Sequence, residues 1–99
     1  MPIITVKPND YATIEFDDDF AAEVRLRVEA QRRVDLYVVD ADGYEEFVGD
    51  RRFHYLLRSL NTRGMRKRFP GPEVYPWYIL IENSHSVPVP VFYEVFYRR

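Results

Sequence analysis

Along most of this chain, apolar and polar residues alternate with a period of two, the rhythm of strands that bury one face. Residues 23–30 show it most cleanly: Val24, Leu26 and Val28 point one way, while Glu23, Arg25, Arg27 and Glu29 point the other. A helix would scatter those three apolar side chains around its circumference. Residues 33–40 repeat the pattern with Val34, Leu36 and Val38, and their β-branched content agrees. Shorter alternations occupy 3–7 and 11–16, and Trp77, Ile79 and Ile81 share a face of a strand over 76–82. A basic strand is expected at 65–69 and a last one at 87–97.

Turn signals separate these runs: Pro8-Asn9-Asp10, Asp17-Asp18-Asp19, residues 61–64, Pro70-Gly71-Pro72 and Asn83-Ser84-His85-Ser86. Asp42 is expected to cap a short helical turn over 43–48 that Gly49 ends. Residues 51–60 fit two patterns. Phe53, Leu56, Leu57 and Leu60 have helical spacing, with Asp50 as a cap, whereas Phe53, Tyr55 and Leu57 alternate as in a strand. Irregular chain or a short strand is preferred, because both neighbours read as sheet. About seven or eight strands at roughly 8–12-residue spacing predict an all-β fold. It is expected to be an antiparallel β-sandwich or jelly roll, with at most one or two short helical turns, in a single domain over 1–99.

Composition narrows the picture. The apolar fraction is 46% and the aromatic fraction 16%, enough for one core without staples. There is no cysteine, which removes disulfides and thiolate metal sites and favours a reducing, cytoplasmic setting. The opening MPIITVKPND lacks signal-peptide architecture, and with Met1 in place no removed leader is expected. No apolar run approaches a membrane span.

The stretch Val34-Asp35-Leu36-Tyr37-Val38-Val39-Asp40, the turn Tyr44-Glu45-Glu46-Phe47 with Gly49-Asp50, and the strand Trp77-Tyr78-Ile79-Leu80-Ile81-Glu82-Asn83 carry a resemblance. They resemble two related groups of small jelly rolls. One is a bacterial family of unknown function, sometimes found fused to or beside TIR-type signalling domains. The other is the domain appended to the C-terminal end of secreted peptidases. The likeness spans residues 34–97, about two thirds of the chain. It implies a jelly roll with no catalytic site and no cofactor.

The residues themselves offer little catalytic chemistry. The serines are Ser59, Ser84 and Ser86, none in a nucleophile elbow, and the histidines are His54 and His85. Ser84-His85-Ser86 reads as a solvated turn, since triads assemble across space. Two histidines without further ligands do not make a zinc site. The acids at 15–19 and the run Asp40-Ala41-Asp42-Gly43 raise calcium as a question, but only a fragment of a calcium loop is present. A helix cap and a solvated turn account for both. No enzyme and no metal are expected.

Charge is divided unevenly. Residues 1–50 carry thirteen acids against five bases, and residues 51–99 nine bases against three acids. Interleaved strands from the two halves are expected to neutralise much of this. Arg51, Arg52, Arg63, Arg66 and Arg68 lie among aromatic residues, as in a nucleic-acid or other polyanion site. On a strand, Arg66 and Arg68 point together and Lys67 opposite.

The last strand is apolar on both sides. Val89, Val91, Tyr93, Val95 and Tyr97 share a face, and Phe92 and Phe96 lie on the other. Pro88 and Pro90 confine its beginning to an edge. Unless a loop such as 53–60 covers them, Phe92, Phe96 and Tyr97 are expected to contribute to a protein interface or a homodimer. The preferred expectation is a non-catalytic module for protein contact or self-association, with polyanion binding as the alternative.

Overall fold

The computed structural model describes residues 2–17, 22–72 and 76–98. These form six antiparallel strands and one helix: β1 (Ile3–Val6), β2 (Asp10–Phe16), β3 (Glu23–Val39), α1 (Ala41–Val48), β4 (Leu57–Pro70), β5 (Trp77–Asn83) and β6 (Val89–Arg98). No helix among the described residues is long and apolar enough to cross a membrane.

β3 organises the sheet. One of its edges pairs with β4 from Glu23↔Pro70 to Val38↔Leu57. The other edge is shared: Glu23–Ala30 pair with β6, and Asp35–Val39 pair with β5. β6 and β5 therefore follow one another along the same edge of β3. β6 then carries β1, and β5 carries β2. A short turn through Asn9 joins β1 to β2, leaving the sheet nearly closed on itself. In that turn Asn9 takes a left-handed backbone (φ 53°), which asparagine tolerates better than most residues.

The expected strands at 23–30 and 33–40 are therefore one, and the expected turn at 61–64 lies inside β4. Those two fusions reduce the seven or eight strands expected to six among the described residues. The polar run Gln31-Arg32-Arg33 imitates a turn, but pairing to β4 carries the chain through it with a break in register. From Glu29↔Gly64 to Val38↔Leu57, β3 advances nine residues and β4 seven. The difference is even, so Val34, Leu36 and Val38 stay on the same face as Val24, Leu26 and Val28. All six are buried. With Trp77, Ile79 and Ile81 from β5 and Val89 and Val91 from β6 they form the core. Pro90 pairs with Thr5 of β1, just beyond the last β3–β6 pair at Ala30↔Val91, so its missing donor costs the sheet nothing on that side.

The back of β3 and β5 is closed by α1 and residues 49–56. Tyr44 stacks on Tyr78 with centroids 4.0 Å apart, Phe47 meets Tyr11 and Phe53 edge-on, and Phe53 and Tyr55 lie against Tyr37. Asp40, not Asp42, is the N-cap: its Oδ1 accepts from the Gly43 N–H at 2.8 Å. The expected turn at 43–48 thus begins two residues earlier. At the other end the Asp50 and Arg51 N–H groups donate to the carbonyls of Phe47 and Glu46. Asp50 supplies the left-handed residue (φ 57°) that glycine usually provides. Residues 49–56 are irregular before β4 begins, as the mixed pattern suggests.

Gly43 is buried where the chain at His54 crosses over α1. A Cβ there would press directly on the His54 carbonyl oxygen and lie 3.1 Å from the Val39 Cβ. Gly43→Ala is expected to cost about 1–3 kcal/mol through this overpacking, read as a lower urea midpoint at unchanged slope. An unchanged midpoint would mean that residues 53–55 do not pack on α1.

Candidate functional site

Cross-strand register assembles one charged face from residues far apart in sequence. On the outer side of β3, Arg25 and Arg27 alternate with the inward Val24, Leu26 and Val28. β4 sets Arg68 beside Arg25 and Arg66 beside Arg27. β6 sets Phe96 beside Arg25, Glu94 beside Arg27 and Arg98 beside Glu23. Four arginines thus form a two-by-two array, flanked by Phe96. Like charges directly opposite one another destabilise a sheet, so this arrangement opposes folding and needs compensation.

Three glutamates supply part of it. The Glu23 carboxylate receives Arg68 Nε at 2.9 Å, Arg25 Nε at 3.5 Å and Arg98 Nη1 at 3.7 Å. Arg27 bonds Glu29 at 2.6 Å and Glu94 at 3.2 Å. The hydrogen bond to Glu29, then its charge and that of Glu94, holds Arg27 more firmly protonated than usual. Contacts from Glu23 to Arg68 and Arg98 join the acidic first half to the basic second half, which is part of the neutralisation expected. Among the described residues, Arg66 has no carboxylate within ion-pair distance. The array borders a shallow hollow of about 410 Å³, lined also by Lys67 and Phe96. Phe96 is 59% exposed among the described residues, and Phe53 and Tyr55 lie against Tyr37 rather than over it.

The structure divides the expected site residues. Arg66 and Arg68 share this face with Phe96. Phe92 is half-buried on the same side of β6, paired with Ile3 and Glu29. Tyr97 falls on the inner side, opposite Val24, and packs against the core. Arg63 donates to the Gln31 carbonyl where β3 and β4 shift register. Arg51 and Arg52 lie just after α1, beyond the opposite end of β4 from Arg66 and Arg68. Arg25, Arg27 and Arg98 are the members that sequence reading missed. The outward parity of Arg25 and Arg27 was visible, but their neighbours depend on strand order.

The other polar clusters serve the fold. His85 Nε2 lies 2.7 Å from the Arg33 carbonyl, which can only accept, so this nitrogen carries the proton. Asp40 is engaged as a cap, and Asp18 and Asp19 of the acidic turn lie outside the described residues. A hollow of about 330 Å³ gathers Asp10, Asp35 and Glu82; burial, then the charge of Asp35, pushes the Glu82 carboxyl up. Among the described residues, no group of three or more His, Asp or Glu is placed to hold a metal.

His54 ties the crossing segment to α1. Its Nδ1 lies 3.0 Å from Glu46 Oε1, which also accepts from the His54 backbone N–H at 3.2 Å. The side-chain hydrogen bond, then the carboxylate's charge, raises the His54 pKa above 6.5, and the same bond lowers that of Glu46 below 4.5. A raised histidine stabilises below its unfolded value and loses that contribution as pH climbs through the folded one. A lowered carboxyl stabilises above its unfolded value and loses it as pH falls through the folded one. The pair is therefore fully formed between pH 4.5 and 6.5. In an NMR titration, Glu46→Gln is expected to move the His54 midpoint down towards 6.5. A midpoint that stays put would show that the pair does not form.

No family model matches the chain, and no curated protein matches it in sequence.

Proposed function

We propose that this chain is a non-catalytic binding module that contacts an acidic protein partner through the outer face of β3, β4 and β6. The observation that carries the reading is the two-by-two array of Arg25, Arg27, Arg66 and Arg68 beside the exposed Phe96. Arginine and aromatic side chains dominate protein interfaces, and an exposed phenylalanine rimmed by charge fits that pattern. An acidic surface would supply Arg66 with the carboxylate that it lacks among the described residues. A protein partner suits this face better than nucleic acid, because Glu23, Glu29 and Glu94 lie within it and the chain's pI is about 5.6. The nearly closed antiparallel sheet around one core supports reading the fold as a β-sandwich, and the likeness to small jelly rolls fits an accessory role without turnover.

Fluorescence anisotropy with labelled poly-glutamate and a labelled single-stranded oligonucleotide tests the reading. Poly-glutamate is expected to bind, weakening as salt rises, and to lose about tenfold in affinity with Arg66→Glu and Arg68→Glu together. Arg51→Glu with Arg52→Glu is expected to change it little. Tighter binding of the oligonucleotide, or equal losses from both pairs, would overturn the proposal.

A further inference from the structure

We infer that β4 is a docking edge for an extended acidic segment of a partner protein, which adds to the sheet as its next strand. This rests on the reading just given and names the mode of recognition. β4 pairs with β3 alone, so along its other edge the backbone donors and acceptors have no strand beside them among the described residues. Edges of this kind are usually short or broken by proline and bulges. β4 breaks register with β3 between Ser59 and Gly64, but from Gly64 to Pro70 its register is unbroken and its only proline is Pro70 at the end.

The side chains of this edge select the occupant. β4 contains Arg58, Arg63, Arg66, Lys67 and Arg68 and no carboxylate. Two copies paired edge to edge over 64–70 would set Arg66 against Arg68 and Lys67 against Lys67, so charge opposes self-pairing of this stretch. An acidic strand meets the opposite situation. A strand added to β4 has the same two-residue repeat, about 6.6–6.8 Å, so its outward side chains fall at the spacing of Arg66 and Arg68. Its inward side chains lie beside Met65, Lys67 and Phe69, of which Met65 and Phe69 are buried. The fitting segment alternates a carboxylate with an apolar residue. Main-chain hydrogen bonds supply affinity in such additions, and alternate side chains supply specificity. Nucleic acid lacks the regular peptide ladder that this edge is built to extend.

The test uses the whole chain and short labelled peptides in which glutamate alternates with valine. Two versions carry N-methyl groups on alternate amides, one in each register, which keeps the charge and removes donors from one edge. The parent peptide is expected to bind and to slow amide exchange within residues 64–69. One methylated register is expected to lose about tenfold in affinity and the other little. Equal binding by both registers, or by a peptide of the same composition with its glutamates in one block, would overturn strand addition while leaving the acidic-partner reading intact. If neither these peptides nor poly-glutamate bind, the acidic-partner reading itself fails.

Discussion

Trp77→Ala is expected to cost about 3–5 kcal/mol, a large share of the roughly 5–15 kcal/mol that holds a small domain folded. Trp77 is the largest fully buried side chain. Its ring stacks on Phe16 at 4.4 Å between centroids and meets the edge of Phe69 at 5.7 Å, so one residue of β5 joins β2 and β4. Truncation removes both contacts and leaves a cavity among strands that have little freedom to collapse. Trp77→Phe separates the ring from its polar atom. Nε1 is buried without a hydrogen-bond partner among the described residues, and an orphaned donor of this kind costs about 1–3 kcal/mol. Phenylalanine removes that penalty and keeps a stacking ring, so its net cost is expected to stay below about 2 kcal/mol. Urea denaturation of the two variants decides the matter. A phenylalanine variant as unstable as the alanine one would mean that Nε1 has an acceptor.

The inward faces of the strands were legible because burial on one face of a strand writes itself into every second residue. Val24-Leu26-Val28, Val34-Leu36-Val38 and Trp77-Ile79-Ile81 all face inward as the alternation requires. Continuity was not legible. Gln31-Arg32-Arg33 and Asn61-Thr62-Arg63-Gly64 have turn composition, yet each lies within a strand because β3 and β4 pair on both sides of a register shift there. Tertiary pairing supplies the backbone partners that a local reading assigns to a turn.

The candidate face was half legible for the same reason. Parity alone put Arg66 with Arg68 and Arg25 with Arg27. Only the β3–β4 register makes the two pairs adjacent, and only the β3–β6 register brings Phe96 to them. Nearness in sequence was a poor guide at Arg51 and Arg52, which an irregular crossing segment holds beside α1. Strand order converts one-dimensional charge runs into surfaces, and a single chain without pairing information does not contain it in readable form.

Asn83→Asp, which changes one amide to a carboxylate of the same shape, is expected to destabilise the fold more than Asn83→Ala does. Asn83 is only 2% exposed. Its Nδ2 donates to the carbonyls of Val87 at 2.9 Å, Lys7 at 3.1 Å and Val6 at 3.2 Å, while Oδ1 accepts from the His85 N–H at 2.9 Å. One side chain thereby fastens the end of β1 to the turn between β5 and β6, at the point where the sheet closes. Three acceptors around one end fix which way the amide points. Alanine leaves those carbonyls without their donor, at about 1–3 kcal/mol. An ionised aspartate also aims a buried negative charge at three carbonyl oxygens, for a loss of about 3–5 kcal/mol. The protonated acid can still donate one bond, so the folded protein would hold its proton above the unfolded value of about 3.9. Folding then takes up a proton, and the deficit relative to the parent grows as pH rises through that value and shrinks again on acidification. Denaturation of parent and both variants at neutral and mildly acidic pH measures this directly. An aspartate variant no weaker than alanine at neutral pH would place the oxygen, not the nitrogen, among the three carbonyls.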